Sequence, residues 1–220
     1  MKIGLLCEGE IDLALIPALV QRIAHDRAEI KWPVRPDDVV ERVGVRKGGF
    51  GQVQKAVERL CGLLDESPYN DYAFFLIVLD HQTRNTQAAI KKCIKGHSRR
   101  FVTGIAIHEV EAWWLADKRN TLEWLGLAHG PDHDHPYWST TYRPERDQNP
   151  KRTLDELTEL SPVLESTYGE GNTQLAVEFA ALWNSRAELG QITTGCPKGF
   201  APFCRETTAA LKLHRPRRSQ

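Results

Sequence analysis

Short apolar runs, each closed by a carboxylate, punctuate the first half of this chain. KIGLLCEGEID carries Glu8 just past a hydrophobic stretch, YAFFLIVLDHQ carries Asp80, and FVTGIAIHEVEAWW carries Glu109 and Glu111. Such a run reads as a buried parallel strand that delivers its carboxylate to the carboxyl edge of a sheet, where open α/β folds place their sites. Between the runs lie stretches of helical spacing. The segment 11–26 repeats apolar residues every three or four positions, with Pro17 expected to distort it locally. Residues 50–67 put Val53, Val57, Leu60, Leu63 and Leu64 on one face. A short strand followed by a glycine turn is expected within 35–52, a helix over about 85–96, and another from near Val110. This alternation predicts a parallel α/β sheet of about four strands flanked by helices.

Past Leu127 the pattern changes. Residues 128–151 hold Pro, His, Asp and aromatics without periodicity, which predicts a mobile, functional loop. KRTLDELTEL, TQLAVEFAALWNSRAEL and CRETTAALKL then read as helices. The expected organisation is an α/β core over 1–127, with 128–220 as a loop and a helical C-terminal segment packed on it.

Composition narrows the class less than the pattern does. Of 220 residues 41% are hydrophobic, enough for a sizeable core. Lys+Arg and Asp+Glu both number 29, so net charge neither calls for a polyanionic partner nor excludes one. Locally, KKCIKGHSRR (91–100) and the C-terminal KLHRPRRSQ are basic. Lys91, Lys92, Lys95, Arg99 and Arg100, with Arg152 further on, are therefore candidate contacts to a phosphate backbone, and a solvated helix face is the plain alternative. Five scattered cysteines without a C-x-x-C pair fit a reducing cytoplasm and argue against a disulfide framework. No stretch is long and apolar enough to span a bilayer.

Chemically, the strand-end carboxylates are the centre of interest. Gly9 allows a tight turn after Glu8, and Asp12 lies one helical turn beyond Glu8. Each acid taken singly reads as a helix cap. Together Glu8, Asp12, Asp80, Glu109 and Glu111 read as hard-oxygen ligands for divalent cations. Glu109 and Glu111 would share a face if the third strand continued through them. Gly48–Gly49 reads as a turn and cap, HGPDHDHP (129–136) as a polar loop, and His108 as a residue orienting a carboxylate. One of Trp113 and Trp114 could stack on a base, but burial against the sheet is the favoured reading for at least one of them.

A hydrophobic strand ending in E-G, with an acid four positions after the Glu, resembles the first motif of Toprim domains, found in topoisomerases, DnaG-type primases and OLD nucleases. Asp80 matches the first position of the D-x-D that ends their second motif strand. The chain is similar, more specifically, to bacterial proteins of unknown function related to RloG. The shared features are Gly48–Gly49, H-E-x-E-A at His108, Glu109, Glu111 and Ala112, a P-x-K/R-like stretch at Pro150, Lys151 and Arg152, and a C-P-x-x-F-like ending at Cys196, Pro197 and Phe200. The resemblance implies a Toprim-like fold and Mg²⁺- or Mn²⁺-dependent hydrolysis of DNA or RNA. It implies two ions roughly 4 Å apart, with Glu8 and Asp80 catalytic and Lys151, brought over the sheet edge by the 128–150 segment, neutralising phosphoryl charge. A separately encoded ABC- or SMC-type ATPase, in phage defence, is the implied partner, since no Walker A sequence occurs here. Gln82 stands where the motif has its second Asp, which lowers expected metal affinity. The rival expectations are a scaffold that has lost its chemistry and phosphoryl chemistry on a small nucleotide.

Overall fold

The computed structural model describes residues 1–24, 50–80, 84–128, 135–169 and 172–214. The strand expected within 35–52, the Gly48–Gly49 turn, Gln82, residues 129–134 of HGPDHDHP and the basic residues from 215 onward lie outside them. Among the described residues the sheet has three parallel strands, β1 (Lys2–Leu6), β2 (Tyr72–Asp80) and β3 (Phe101–Ala106), in the order β1-β2-β3. Leu6 stands beside Ile77 and Asp80 beside Ala106, so the three carboxyl ends share one edge. The helices are α1 (Glu10–Ile23), α2 (Phe50–Leu63), α3 (Arg84–Cys93), α4 (Glu111–Ala116), α5 (Lys118–Trp124), α6 (Pro150–Glu159), α7 (Thr173–Arg186), α8 (Leu189–Gly195) and α9 (Phe200–Leu213). Pro17 lies inside α1, which continues past it.

Alternating strand residues sort into two apolar layers, as a two-residue period requires. Ile3, Leu5, Phe74, Leu76 and Val78 face α1, α7 and α9. Phe75, Ile77 and Leu79 pack on Val53, Val57 and Leu60 of α2 and Ile90 of α3. The C-terminal helices therefore complete the main core. Asp117, fully buried between α4 and α5, secures them by accepting bonds from the Trp183 indole (2.8 Å), the Glu188 amide (3.2 Å) and the Asn120 amide (2.9 and 3.0 Å).

Trp113 and Trp114 are both fully buried, Trp113 stacked on Phe203 and Trp114 on Phe179 at 4.4 Å. Burial, the favoured reading for at least one of them, holds for both, and neither ring is open to stack on a base. Phe203 also presses on β3 at Gly104. A Cβ added there would meet Phe203 Cδ2 at 2.7 Å, inside van der Waals contact. Gly104→Ala is expected to destabilise the fold by about 1–3 kcal/mol through overpacking, measured by denaturant unfolding.

The described part of the aperiodic segment, 135–149, is held by specific side-chain hydrogen bonds. The buried Tyr137 donates its hydroxyl to the Leu115 carbonyl at 2.9 Å, and the Lys118 ammonium donates to the Tyr137 carbonyl at 2.8 Å. Asp147 accepts from the Tyr142 hydroxyl at 2.7 Å and the Thr153 hydroxyl at 2.6 Å. Asn149 caps α6 by accepting from the Arg152 amide at 3.1 Å. No helix among the described residues is long and apolar enough to cross a membrane.

Candidate metal centre at the carboxyl edge

Three strand ends and one helix start build this edge. Two residues after β1, Glu8 reaches across to β2, where its Oε1 accepts the Asp80 amide at 3.1 Å. Asp12, in the first turn of α1, turns back and accepts the Glu8 and Gly9 amides at 3.2 and 3.1 Å. It therefore caps its own helix while remaining buried at 6% exposure. Asp80 closes β2 and is half-buried. Its Oδ1 is shielded from solvent and finds no hydrogen-bond partner among the described residues.

After β3 the chain departs from expectation. The strand stops at Ala106, so Glu109 and Glu111 do not share a strand face. His108 takes a left-handed backbone, with φ of 66°, and turns the chain into α4. Such a conformation is uncommon for a non-glycine residue and concentrates at functional sites. Glu109 falls in the turn and Glu111 opens α4. What brings them together is Lys151, at the start of α6. Its ammonium lies 3.1 Å from Glu109 Oε1 and 4.0 Å from Glu111 Oε1. Its amide donates to Glu109 Oε2 at 3.3 Å, so Glu109 also anchors the helix start.

One participant has no signal in the sequence. Tyr168 sits in S-T-Y-G-E-G, without periodicity or motif, yet its buried hydroxyl donates to Glu111 Oε1 at 2.6 Å. Glu111 itself is only 2% exposed. Removing the donor leaves a buried carboxylate short of a partner. Tyr168→Phe is expected to cost about 1–3 kcal/mol of stability, and a double-mutant cycle with Glu111→Gln should recover most of that as coupling.

Crowding of acids shifts their protonation. Burial, then the charge of Glu111, pushes the Asp12 carboxyl up to about 7. Burial, then the charges of Asp12, Glu111 and Glu8, pushes Asp80 up to about 8. Burial also raises Glu8, against the pull of the Asp80 and Phe50 amides and of Lys151. Glu111 is raised by burial, opposed by Lys151 and the Tyr168 hydroxyl. Burial lowers the Lys151 ammonium, but Glu111, Glu109 and Asp80 outweigh it and hold it above its ordinary value.

The five expected ligands, Glu8, Asp12, Asp80, Glu109 and Glu111, thus converge with Lys151 on one edge. Among the described residues no group of three or more His, Cys, Asp or Glu side chains is already arranged to hold a metal ion. Asp12, Glu109 and Glu111 instead each have an intramolecular partner. The donor set is all carboxylate oxygen, the chemistry of Mg²⁺ and Mn²⁺ and not of zinc. The orphaned Asp80 Oδ1 is an atom that such an ion would satisfy. To that extent the residues fit a hard divalent cation.

The basic run lies elsewhere. Lys91 and Lys92 are exposed on the last turn of α3, where cations complement the helix dipole. Lys95 and Arg99 lie exposed in the 3₁₀ segment that leads into β3, at the amino edge of the sheet. Arg100 donates to the Tyr69 and Tyr72 carbonyls at 3.2 and 2.9 Å and so braces the start of β2. These residues do not rim the carboxylate edge. Arg152 is beside it, held by Glu156 at 2.8 Å. No protein-family model, curated protein or solved structure matches this chain.

Proposed function

We propose that this chain is a divalent-cation-dependent nuclease with a Toprim-like site, hydrolysing phosphodiester bonds of DNA or RNA. The observation that carries the reading is that Glu8, Asp12, Asp80, Glu109 and Glu111 all lie at or just past the carboxyl ends of three parallel strands, with Lys151 3.1 Å from Glu109 and 4.0 Å from Glu111 and, among the described residues, one Asp80 oxygen buried without a hydrogen-bond partner. Glu8 and Asp80 are the residues to hold Mg²⁺ or Mn²⁺, with Asp12, Glu109 and Glu111 completing the set. A bound ion would supply Lewis acidity toward a phosphoryl oxygen and an activated water. The chain's own contributions are positional and electrostatic. The Asp80 amide orients Glu8, and Tyr168 fixes one oxygen of Glu111. Lys151 offers a point charge to a phosphate oxygen as negative charge grows there. An ATPase encoded separately, in phage defence, is the partner that the resemblance supports.

The test is calorimetric titration with Mn²⁺ and Mg²⁺, followed by cleavage assays on single-stranded DNA, duplex DNA and RNA. Saturable ion binding with ion-dependent cleavage is expected. Absence of binding at millimolar ion, with and without nucleic acid, overturns the proposal. One observation favours a second reading, a binding subunit that keeps the scaffold without the chemistry. Asp12, Glu109 and Glu111 already serve a helix cap, an ion pair and a tyrosine. That reading expects nucleic-acid binding unaffected by chelator and no cleavage.

A further inference from the structure

Lys151 pairs with Glu109 at 3.1 Å and stands 4.0 Å from Glu111. The side chain is 39% exposed, so the ammonium can leave for solvent without disturbing α6. The helix start does not depend on it, because Glu109 Oε2 holds the Lys151 amide. The backbone anchor and the charged head are thus separable. Arg152 is no substitute, being engaged by Glu156 at 2.8 Å. A flexible four-carbon stem suits a charge that must change place.

We infer that Lys151 is the resident counter-ion of this edge, and that a divalent cation displaces its ammonium and turns it outward toward an anionic substrate. The inference rests on the metal-centre reading above and adds an order of events to it. Ammonium and divalent ion compete for the oxygens of Glu109 and Glu111, and like charges at such separations repel. Ion loading therefore releases a positive charge at the rim, and the phosphate binds second. Metal and anion affinities become coupled through one side chain, with each raising the other.

Two measurements test this. Mn²⁺ binding to Lys151→Met is compared with wild type by calorimetry, and wild-type Lys151 is labelled by an amine-acylating reagent with and without Mn²⁺, read by mass spectrometry. Removing the competitor should tighten Mn²⁺ binding by about tenfold. Mn²⁺ should speed acylation of Lys151 by a similar factor while leaving Lys91 and Lys92 unchanged. Binding by the variant alone would support the inference most strongly. If wild type binds Mn²⁺, and either the variant binds equally or more weakly or labelling of wild-type Lys151 does not rise, the counter-ion role is overturned and the metal centre stands. No binding by either protein removes both. Labelling uses wild type, so a poorly folded variant leaves the test intact.

Discussion

Asp80→Ala is expected to abolish Mn²⁺ binding and lower phosphodiester cleavage by about a thousandfold, while making the metal-free protein more stable at pH 8. The two effects have one cause. Asp80 brings to the edge a carboxylate with an oxygen that no described residue satisfies, beside Asp12, Glu111 and Glu8. In the apo protein that charge is a liability, costing desolvation and repulsion. On the proposed reading, a bound ion would make it a ligand. A residue whose removal stabilises the fold and eliminates activity is kept for function. Asp80→Asn separates shape from charge, since it preserves volume and drops the negative charge, and it should behave like the alanine variant. Glu8→Ala should lose binding too, with a different stability outcome, because Glu8 accepts the Asp80 amide and its loss leaves that donor without this partner. Calorimetry and thermal unfolding at about pH 8, run on the same preparations, check all three. A variant at Asp80 that retains ion affinity would rule out its assignment as a ligand.

A second large effect is expected from pH alone. Asp12 and Asp80 have ordinary values of 3.8 and are pushed to about 7 and about 8 in the folded chain. Both shifts are upward, opposite to a carboxylate in a salt bridge. Between the ordinary and the raised value, the folded state holds protons that the unfolded chain has released. Stability then falls with rising pH, by up to about 1.4 kcal/mol per unit for each group. The decline begins near the ordinary value of 3.8, continues to about 8, and levels off above it. Ion affinity has the reverse slope, since Mn²⁺ must displace those protons. It should climb by up to about tenfold per pH unit per displaced proton through the same upper range and then level. Unfolding by denaturant at several pH values, and titration in two buffers of unlike ionisation heat, read the two slopes. An ion affinity independent of pH between about 6 and 8 would show that neither acid gives up a proton on binding.

The strands that build the site are legible because buried parallel strands are continuous apolar runs, and Glu8 and Asp80 follow from where those runs stop. The third strand is a partial exception. Ile107 extends the apolar pattern of FVTGIAIHE, yet pairing ends at Ala106 and His108 adopts positive φ. Nothing local announces that turn, so Glu109 and Glu111 are legible as site residues while the way they meet is not. Residues 135–149 lack periodicity because their order comes from side chains bonding to nearby and distant partners, among them Asp147, Asn149 and Tyr137. Tyr168 belongs to the same class. The basic run shows a different limit. Its charge is plain in the sequence, but its edge of the sheet is set by chain direction, since α3 carries it away from Asp80.

That separation has a consequence for a molecule whose formal charge sums to zero. Tyr72 to Asp80 spans about 25 Å at the rise of an extended strand, and the sheet holds acids at one end and exposed cations near the other. Among the described residues, ionisation of Asp12 and Asp80 at alkaline pH therefore adds negative charge at the end of the strands opposite Lys95 and Arg99. In dilute salt, the long-range field would orient an approaching nucleic acid toward Lys95 and Arg99 first, the end remote from the carboxylates. Beyond a Debye length of about 8 Å in physiological salt, that torque fades. If the chain acts on nucleic acid as proposed, encounter kinetics would then improve as ionic strength rises from very low values.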